Sequence, residues 1–233
     1  MAMIADNIQL LRERLGRACA AAARPVQSVT LLVVSKTFGA GAVREAVAAG
    51  ERRFGENQVQ EGVAKIAALA DLRGQVEWHL IGPLQSNKTR AVAEQFDWVH
   101  SVDRLKIAQR LSEQRPAPLP PLQVCLQVNI SGEPSKSGLR PDELPAVAKA
   151  VADLPRLALR GLMAIPEPTP DFASQRAPHR ALRELLERLR MGGLALDTLS
   201  MGMSADLEAA VAEGATIVRV GSAIFGVRRG IER

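Results

Sequence analysis

One alternation, repeated along the whole chain, most constrains what it can fold into. A short and nearly uninterrupted apolar run is followed by a stretch with apolar residues at helical spacing, again and again. The apolar runs fall at 29–35, 53–55, 77–81, 98–101, 123–128, 158–164, 198–201 and 216–220. Amphipathic stretches lie between them at 42–49, 58–70, 89–96, 104–114, 143–154, 181–191 and 205–213. One more, 4–23, precedes the first strand and sets Ile4, Ile8, Leu11 and Leu15 on a single face. Strands this apolar must be covered, which points to a parallel sheet under helices. Eight such units close most naturally into a barrel of roughly 250 residues, and the chain has 233. The expected architecture is α/β: a (β/α)8 TIM barrel, one domain over 1–233, with an extra N-terminal helix. An open doubly wound sheet is the alternative if 53–55 or 98–101 fails to form a strand. The Pro-rich stretch 116–121 lies inside one unit and reads as a surface connection.

Composition removes several functions. No apolar run approaches the roughly 20 residues of a membrane helix. Asp6 also stands where a signal peptide carries its positive end, so a cytoplasmic protein without a membrane partner is expected. Cys19 and Cys125 are the only cysteines, too few for a disulfide framework or a thiolate metal centre. The three histidines lie far apart without acidic clusters, so no metal site is expected. A net charge of +5 and a pI of 9.8 raise the question of nucleic acid. The basic residues are interleaved with 25 acids, and five Phe, two Trp and no Tyr leave few platforms for bases, so no nucleic-acid partner is expected.

A barrel of this kind gathers its chemistry at the carboxyl ends of the strands, with phosphate commonly held after the seventh and eighth. The first strand ends at Lys36, one of only six lysines. A lysine held against apolar walls there can form a Schiff base with an aldehyde, although a solvated strand-end lysine is the commoner outcome for such a residue alone. The seventh strand ends in Ser200-Met-Gly-Met-Ser204 just before a helix. Gly202 would let backbone amides approach an anion while the serines donate to it; Ser204 as a simple helix cap is the plainer alternative. Gly221-Ser222 follows the eighth strand and would supply the other half of a phosphate cup. Arg219 interrupts the apolar run 217–220, where a guanidinium needs either an ion pair or a ligand. Asn57, His79, Asn129 and Met163 are further rim candidates. His79, in an apolar segment, reads better as a packed and hydrogen-bonded interior residue than as a catalyst. His100 and His179 carry no assignment.

A Schiff-base lysine, a phosphate cup and an internal arginine describe a pocket for pyridoxal 5'-phosphate. The runs Val34-Ser-Lys-Thr37, Phe54-Gly-Glu-Asn57, His79-Leu-Ile-Gly82, Leu84-Gln-Ser-Asn-Lys88, Lys136-Ser-Gly138, Leu199-Ser-Met-Gly-Met-Ser-Ala-Asp206 and Val218-Arg-Val-Gly-Ser-Ala-Ile-Phe-Gly226 closely resemble the pyridoxal phosphate homeostasis protein family. These are barrels similar to the N-terminal domain of alanine racemase. The resemblance spans nearly the whole chain. It implies that Lys36 carries the cofactor, that Ser200, Ser204, Gly221 and Ser222 hold its phosphate, and that Arg219 faces the pyridine nitrogen. With Asn57, His79 and Met163, and with Met201 and Gly202 of the serine-flanked turn, these make up the expected cofactor-binding set. One departure is Gln58, where the family often has Tyr.

The resemblance also implies buffering and delivery of the cofactor to apoenzymes, within vitamin B6 and amino-acid homeostasis. A racemase on this barrel needs a positioned acid or base on the cofactor's second face. In the resembling enzymes that is a tyrosine held with a second, β-rich domain, and this chain has no tyrosine. The expectation is a carrier without catalytic residues. The alternatives are a small racemase-like enzyme using His79, Lys88 or Lys136 as base, and a Schiff-base aldolase for a phosphorylated sugar.

Overall fold

A computed structural model of the protein describes residues 2–133 and 137–226. Its strands are β1 (Thr30–Val34), β2 (Arg53–Glu56), β3 (Glu77–Leu80), β4 (Trp98–Val102), β5 (Leu122–Gln127), β6 (Leu157–Met163), β7 (Thr198–Ser200) and β8 (Ile217–Val220). They form one closed barrel in sequence order. Both short runs, at β2 and β4, are strands, and β1 pairs in parallel with β2 on one side and β8 on the other. That closure excludes the open-sheet alternative.

The helices are α1 (Ala2–Ala21), α2 (Ala40–Ala48), α3 (Val59–Ala68), α4 (Thr89–Gln95), α5 (Leu105–Gln114), α6 (Leu144–Ala152), α7 (Phe172–Met191), α8 (Leu207–Ala212) and α9 (Ser222–Phe225). Two depart from the sequence pattern. Helix α7 begins well before 181 because Asp171 caps it, accepting from the Ser174 amide at 2.9 Å, and it carries Pro178 in its interior. The sequence pattern points only to 181–191, and a proline inside a helix normally ends or kinks it. The four-residue α9 was not anticipated; it turns directly off β8. No described helix is long and apolar enough to cross a membrane.

Side chains alternate across each strand, so the barrel has two separate interiors. Val33, Phe54, Trp78, Leu80, Val99, Val124, Leu162 and Val218 point outward into the main core with the helices. Leu32, Val34, Ile81, Trp98, Cys125, Met163 and Ile217 make a small cluster within the barrel itself. Helix α1 lies outside α8 and α9, burying Ile8, Leu11 and Leu15. Its polar side chains reach the functional end: Asn7 donates to the Ile224 carbonyl at 2.8 Å, and Arg14 donates to the Ser204 carbonyl at 2.9 Å while forking onto Glu208.

Between β5 and β6 the register shifts, Val124 facing Leu159 but Cys125 facing Gly161, so Arg160 is an extra residue in β6. Gly161 then passes so close to β7 that a Cβ would lie 1.8 Å from the Thr198 carbonyl oxygen. Gly161→Ala is expected to cost about 3 kcal/mol or more, the upper end of overpacking, and so to lower the melting temperature by roughly 6–12 °C. Gly16 in α1 meets nothing within 4 Å. Gly16→Ala is expected to stabilise by about 0.5–1 kcal/mol. Paired thermal melts check both signs.

Candidate functional site

A cavity of about 800 Å³ opens at the carboxyl ends of the strands. The ends or following loops of β1, β2, β3, β5, β6, β7 and β8 all contribute to its wall. Lys36, Asn57, Ser204, Arg219, Gly221 and Ser222, drawn from separate parts of the sequence, all line it, as does the rim candidate Asn129.

The backbone around Lys36 is held from both sides. Before it, the Ser35 hydroxyl donates to Glu56 at 2.5 Å and the Ser35 carbonyl accepts from Lys65 Nζ at 2.6 Å. After it, the Thr37 amide donates to Glu61 at 2.5 Å. Lys65 is buried and joins both carboxylates, lying 2.6 Å from Glu56 and 2.8 Å from Glu61. Burial pushes the Glu56 carboxyl up, against the Lys65 and Ser35 bonds. Thr37 itself has φ of 69°. A β-branched residue in the left-handed region is strained, and such strain persists only where the surroundings impose it. The Lys65 cluster supplies that imposition, and none of Glu56, Glu61 and Lys65 carried an assignment from the sequence.

Across the closure, the β7 and β8 turns converge. Ser204 Oγ and Ser222 Oγ are 3.4 Å apart. Phe38, after β1, stacks on Phe225 of α9 with ring centroids 4.7 Å apart. Gly221 packs on β1 so closely that a Cβ would sit 2.6 Å from the Val34 carbonyl oxygen. The β7 turn is fixed by Asp206, which accepts from the Met203 amide at 2.7 Å and bonds His179 Nε2 at 3.0 Å. His179, unassigned from sequence, thus braces the turn from α7.

Arg219 is buried on the cavity wall, donating to Ser200 Oγ at 2.8 Å and to the Ala164 carbonyl at 2.9 Å. Both acceptors are neutral, and no described carboxylate forms an ion pair with it. Burial pulls its pKa down to about 10, with Asp206 opposing at longer range.

Several expected residues lie elsewhere. Ser200 ends β7 with its side chain inside the barrel, where its hydroxyl bonds Arg219 and His100, so it does not line the cavity. His79 is fully buried in the barrel interior, between Glu77 and His100. Met163 packs in the inner apolar cluster and Met201 in the outer core. Gly202, at φ 92°, serves packing, since a Cβ there would meet Ala210 Cβ at 2.5 Å. Lys88 and Gln58 are off the wall, and Lys136 lies outside the described residues.

The family of the alanine racemase N-terminal domain matches residues 2–229. A protein of Pseudomonas aeruginosa named pyridoxal phosphate homeostasis protein is 64% identical over 228 residues, spanning 98% of this chain and 97% of that one. The solved structure of PipY from Synechococcus elongatus with PLP bound is 41% identical, covers 96% of this chain and 100% of that chain, and superposes with a TM-score of 0.84. Alanine racemase from Corynebacterium glutamicum shares the fold, with a TM-score of 0.69 at 18% identity, and this chain covers 63% of its length.

The Asp206 brace gives a pH prediction. Burial pushes this carboxyl up, but the His179 bond and the Met203 amide outweigh it and hold the pKa below the ordinary aspartate value. A depressed folded pKa stabilises fully above the unfolded value, near 4, and that contribution disappears as pH falls through the folded one. Acidification below about pH 4 should therefore destabilise the native protein more steeply than the Asp206→Asn variant. Urea denaturation at stepped pH checks this; parallel pH slopes would remove Asp206 from the linkage.

Proposed function

Because the chain belongs to the alanine racemase N-terminal domain family, among the pyridoxal phosphate homeostasis proteins, we propose that it binds pyridoxal 5'-phosphate on Lys36 and works as a carrier of that cofactor rather than as an enzyme. The observation that carries this reading is the convergence on one cavity wall of Lys36, the paired hydroxyls of Ser204 and Ser222, and an Arg219 whose hydrogen-bond partners among the described residues are neutral. Their chemistry fits the group. The cofactor supplies an aldehyde that condenses with an amine, losing water, and a phosphate that anchors it. Lys36 is the amine, on a loop held rigid by Glu56, Glu61 and Lys65. Ser204, Ser222 and the close-packed Gly221 turn are the phosphate side. Arg219 can only donate, so it offers a hydrogen bond to a ring nitrogen and gives that nitrogen no proton. Asn57 adds a polar group to the same wall.

The same residues argue against turnover. An unprotonated ring nitrogen is a weak electron sink, and a second-face acid or base is worth roughly 10²–10⁴-fold in rate. The chain has no tyrosine to act there. The wall instead offers Asn57, Asn129 and serines, which position a ligand without carrying protons near neutral pH. This reading takes 1–233 as one domain, active in the cytoplasm, with cofactor-requiring apoenzymes as recipients.

The purified protein is expected to be yellow, and Lys36→Ala colourless. Borohydride reduction followed by peptide mapping should place the pyridoxyl group on Lys36; a label confined to Lys88 or Lys136 would move the site. Mixing the loaded protein with a cofactor-free recipient enzyme should restore activity beyond what an equal amount of free cofactor gives. Amino-acid racemisation near 1 s⁻¹, the lower range for enzymes, would overturn the carrier reading.

For the phosphate side, Ser204→Ala and Ser222→Ala should each weaken binding by about one to two powers of ten, the worth of a hydrogen bond to a charged group. Ser200→Ala leaves the cup intact, so the preference for the phosphorylated over the unphosphorylated cofactor should persist in that variant and shrink in the other two. Titrating the visible band with both forms checks this. An equal loss of preference in all three would return Ser200 to the cup.

A further inference from the structure

Beside its small apolar cluster, the barrel interior beneath Arg219 carries polar groups that form a single file. Glu77 Oε1 lies 2.8 Å from His79 Nε2. His79 Nδ1 lies 2.9 Å from His100 Nε2, and His100 Nδ1 lies 2.7 Å from Ser200 Oγ. Ser200 Oγ in turn accepts from Arg219 at 2.8 Å. His79, His100 and Ser200 are wholly buried. Glu77 is 39% exposed, beside Arg53 at 3.3 Å, in the mouth at the amino ends of the strands. The file therefore crosses the barrel from one mouth to the cavity at the other.

Its donors can be ordered by counting hydrogens. A guanidinium has no acceptor, so Ser200 must accept from Arg219, which leaves its one hydrogen for His100 Nδ1. A neutral His100 then carries its hydrogen on Nε2 and gives it to His79 Nδ1. His79 carries its own on Nε2, facing a carboxylate that only accepts. Every link has one donor and one acceptor. The reverse order would set a bare His79 Nε2 against Glu77, acceptor against acceptor, and would leave the Ser200 hydrogen without a place in the file. Doubly protonated rings are opposed by burial, which pushes His79 down and His100 well down, the latter aided by His79 and Arg219.

We propose that Glu77, His79, His100 and Ser200 are positioning residues for Arg219, a one-way hydrogen-bond relay through which the charge at the amino-terminal mouth bears on the cofactor at the carboxyl-terminal one. The relay fixes the plane of the guanidinium by holding a serine lone pair toward it, and polarisation along consecutive hydrogen bonds passes the Glu77 charge inward. The proposal rests on the cofactor reading only for what lies beyond Arg219; the order of the donors stands without it.

Nitrogen-15 spectroscopy of histidine side chains tests the order directly, since the chain has three histidines. His79 and His100 should both be neutral with the proton on Nε2, with or without cofactor. In Glu77→Gln, whose amide oxygen still accepts, the order set from Arg219 should persist in both rings, while the His79 Nε2–H signal moves as the carboxylate charge is lost. His179, bonded to Asp206 outside the relay, should keep its signal and so report an intact fold. In the loaded protein, Glu77→Gln and Ser200→Ala should shift the visible band and weaken cofactor binding by about fivefold or more, the lower range of coupling between sites, while Ser200→Thr, which keeps the hydroxyl, should restore both. A proton on His100 Nδ1 in the native protein overturns the relay. So does a Glu77→Gln variant with an unmoved His79 signal, or one with native cofactor affinity and band. Ordered tautomers in a protein whose Lys36 takes no pyridoxyl label would sink the cofactor reading and leave the relay's order standing.

Discussion

The pairing of the first strand with the last is the constraint on which the site depends. Thr30 to Val33 run beside Ile217 to Val220 in parallel register. Whatever follows β1 must therefore sit next to whatever follows β8. Lys36, at one end of the sequence, meets Arg219, Gly221 and Ser222, at the other, because this seam closes the barrel. The contact is tight enough that Gly221 has no room for a side chain against the Val34 carbonyl. Helix α1 reinforces the seam from outside, through Asn7 to α9 and Arg14 to the turn after β7. Fold stability and site geometry share these contacts, so a change at the seam affects both.

Alternation of side chains explains how so small a barrel keeps a charge within it. The outward face of each strand takes part in one continuous apolar core with the helices, which stabilises the fold in proportion to the area removed from water. The inward face is thus relieved of supplying most of that stability. It accommodates His79, His100, Ser200 and Arg219 where a wholly apolar filling would otherwise be expected. A guanidinium so placed, accepted among the described residues by a hydroxyl and a carbonyl, remains charged at neutral pH although burial lowers its pKa to about 10. Its retained charge makes the cavity attractive to an electron-rich ring atom. The absence of a described carboxylate partner leaves that attraction largely uncancelled.

Much of this was legible in the sequence. Strand–helix alternation is a long-range repeat and survives errors of a residue or two at each boundary, so the barrel followed from it. Lys36, Ser204 and Gly221 were legible because loop residues at strand ends face one mouth whatever the exact boundary. Ser200 was not, because direction alternates at every residue within a strand, and the flanking serines of Ser200-Met-Gly-Met-Ser204 look equivalent until β7 is seen to end at Ser200. Met163 and Met201 differ in the same way, one turned into the barrel and the other out toward the helices. His100 left a faint signal, since His79 and His100 each lie two residues after an inward-facing strand residue, Glu77 and Trp98. Recognising that they meet requires the β3–β4 register, where His79 pairs with Trp98. The Lys65 cluster left only the four-residue spacing of Glu61 and Lys65 on one helix, for Glu56 and Ser35 join it through contacts that only the fold creates.

On the carrier reading proposed above, the two sides of the cavity divide the work. A Schiff base with a single lysine is reversible, and water that reaches it can release the aldehyde. Retention must then come from contacts that persist when the covalent bond opens: the hydroxyl-lined turns at one side and the arginine at another. The ion pairs around Lys65 hold the lysine loop in place, strained Thr37 included, so the amine would remain close to a ligand still anchored by its other end. Proximity of this kind raises the effective concentration of amine over aldehyde and lets the covalent bond reform many times before the ligand leaves. On that reading, release would be governed by the noncovalent contacts, for which a recipient protein would compete without itself breaking a carbon–nitrogen bond.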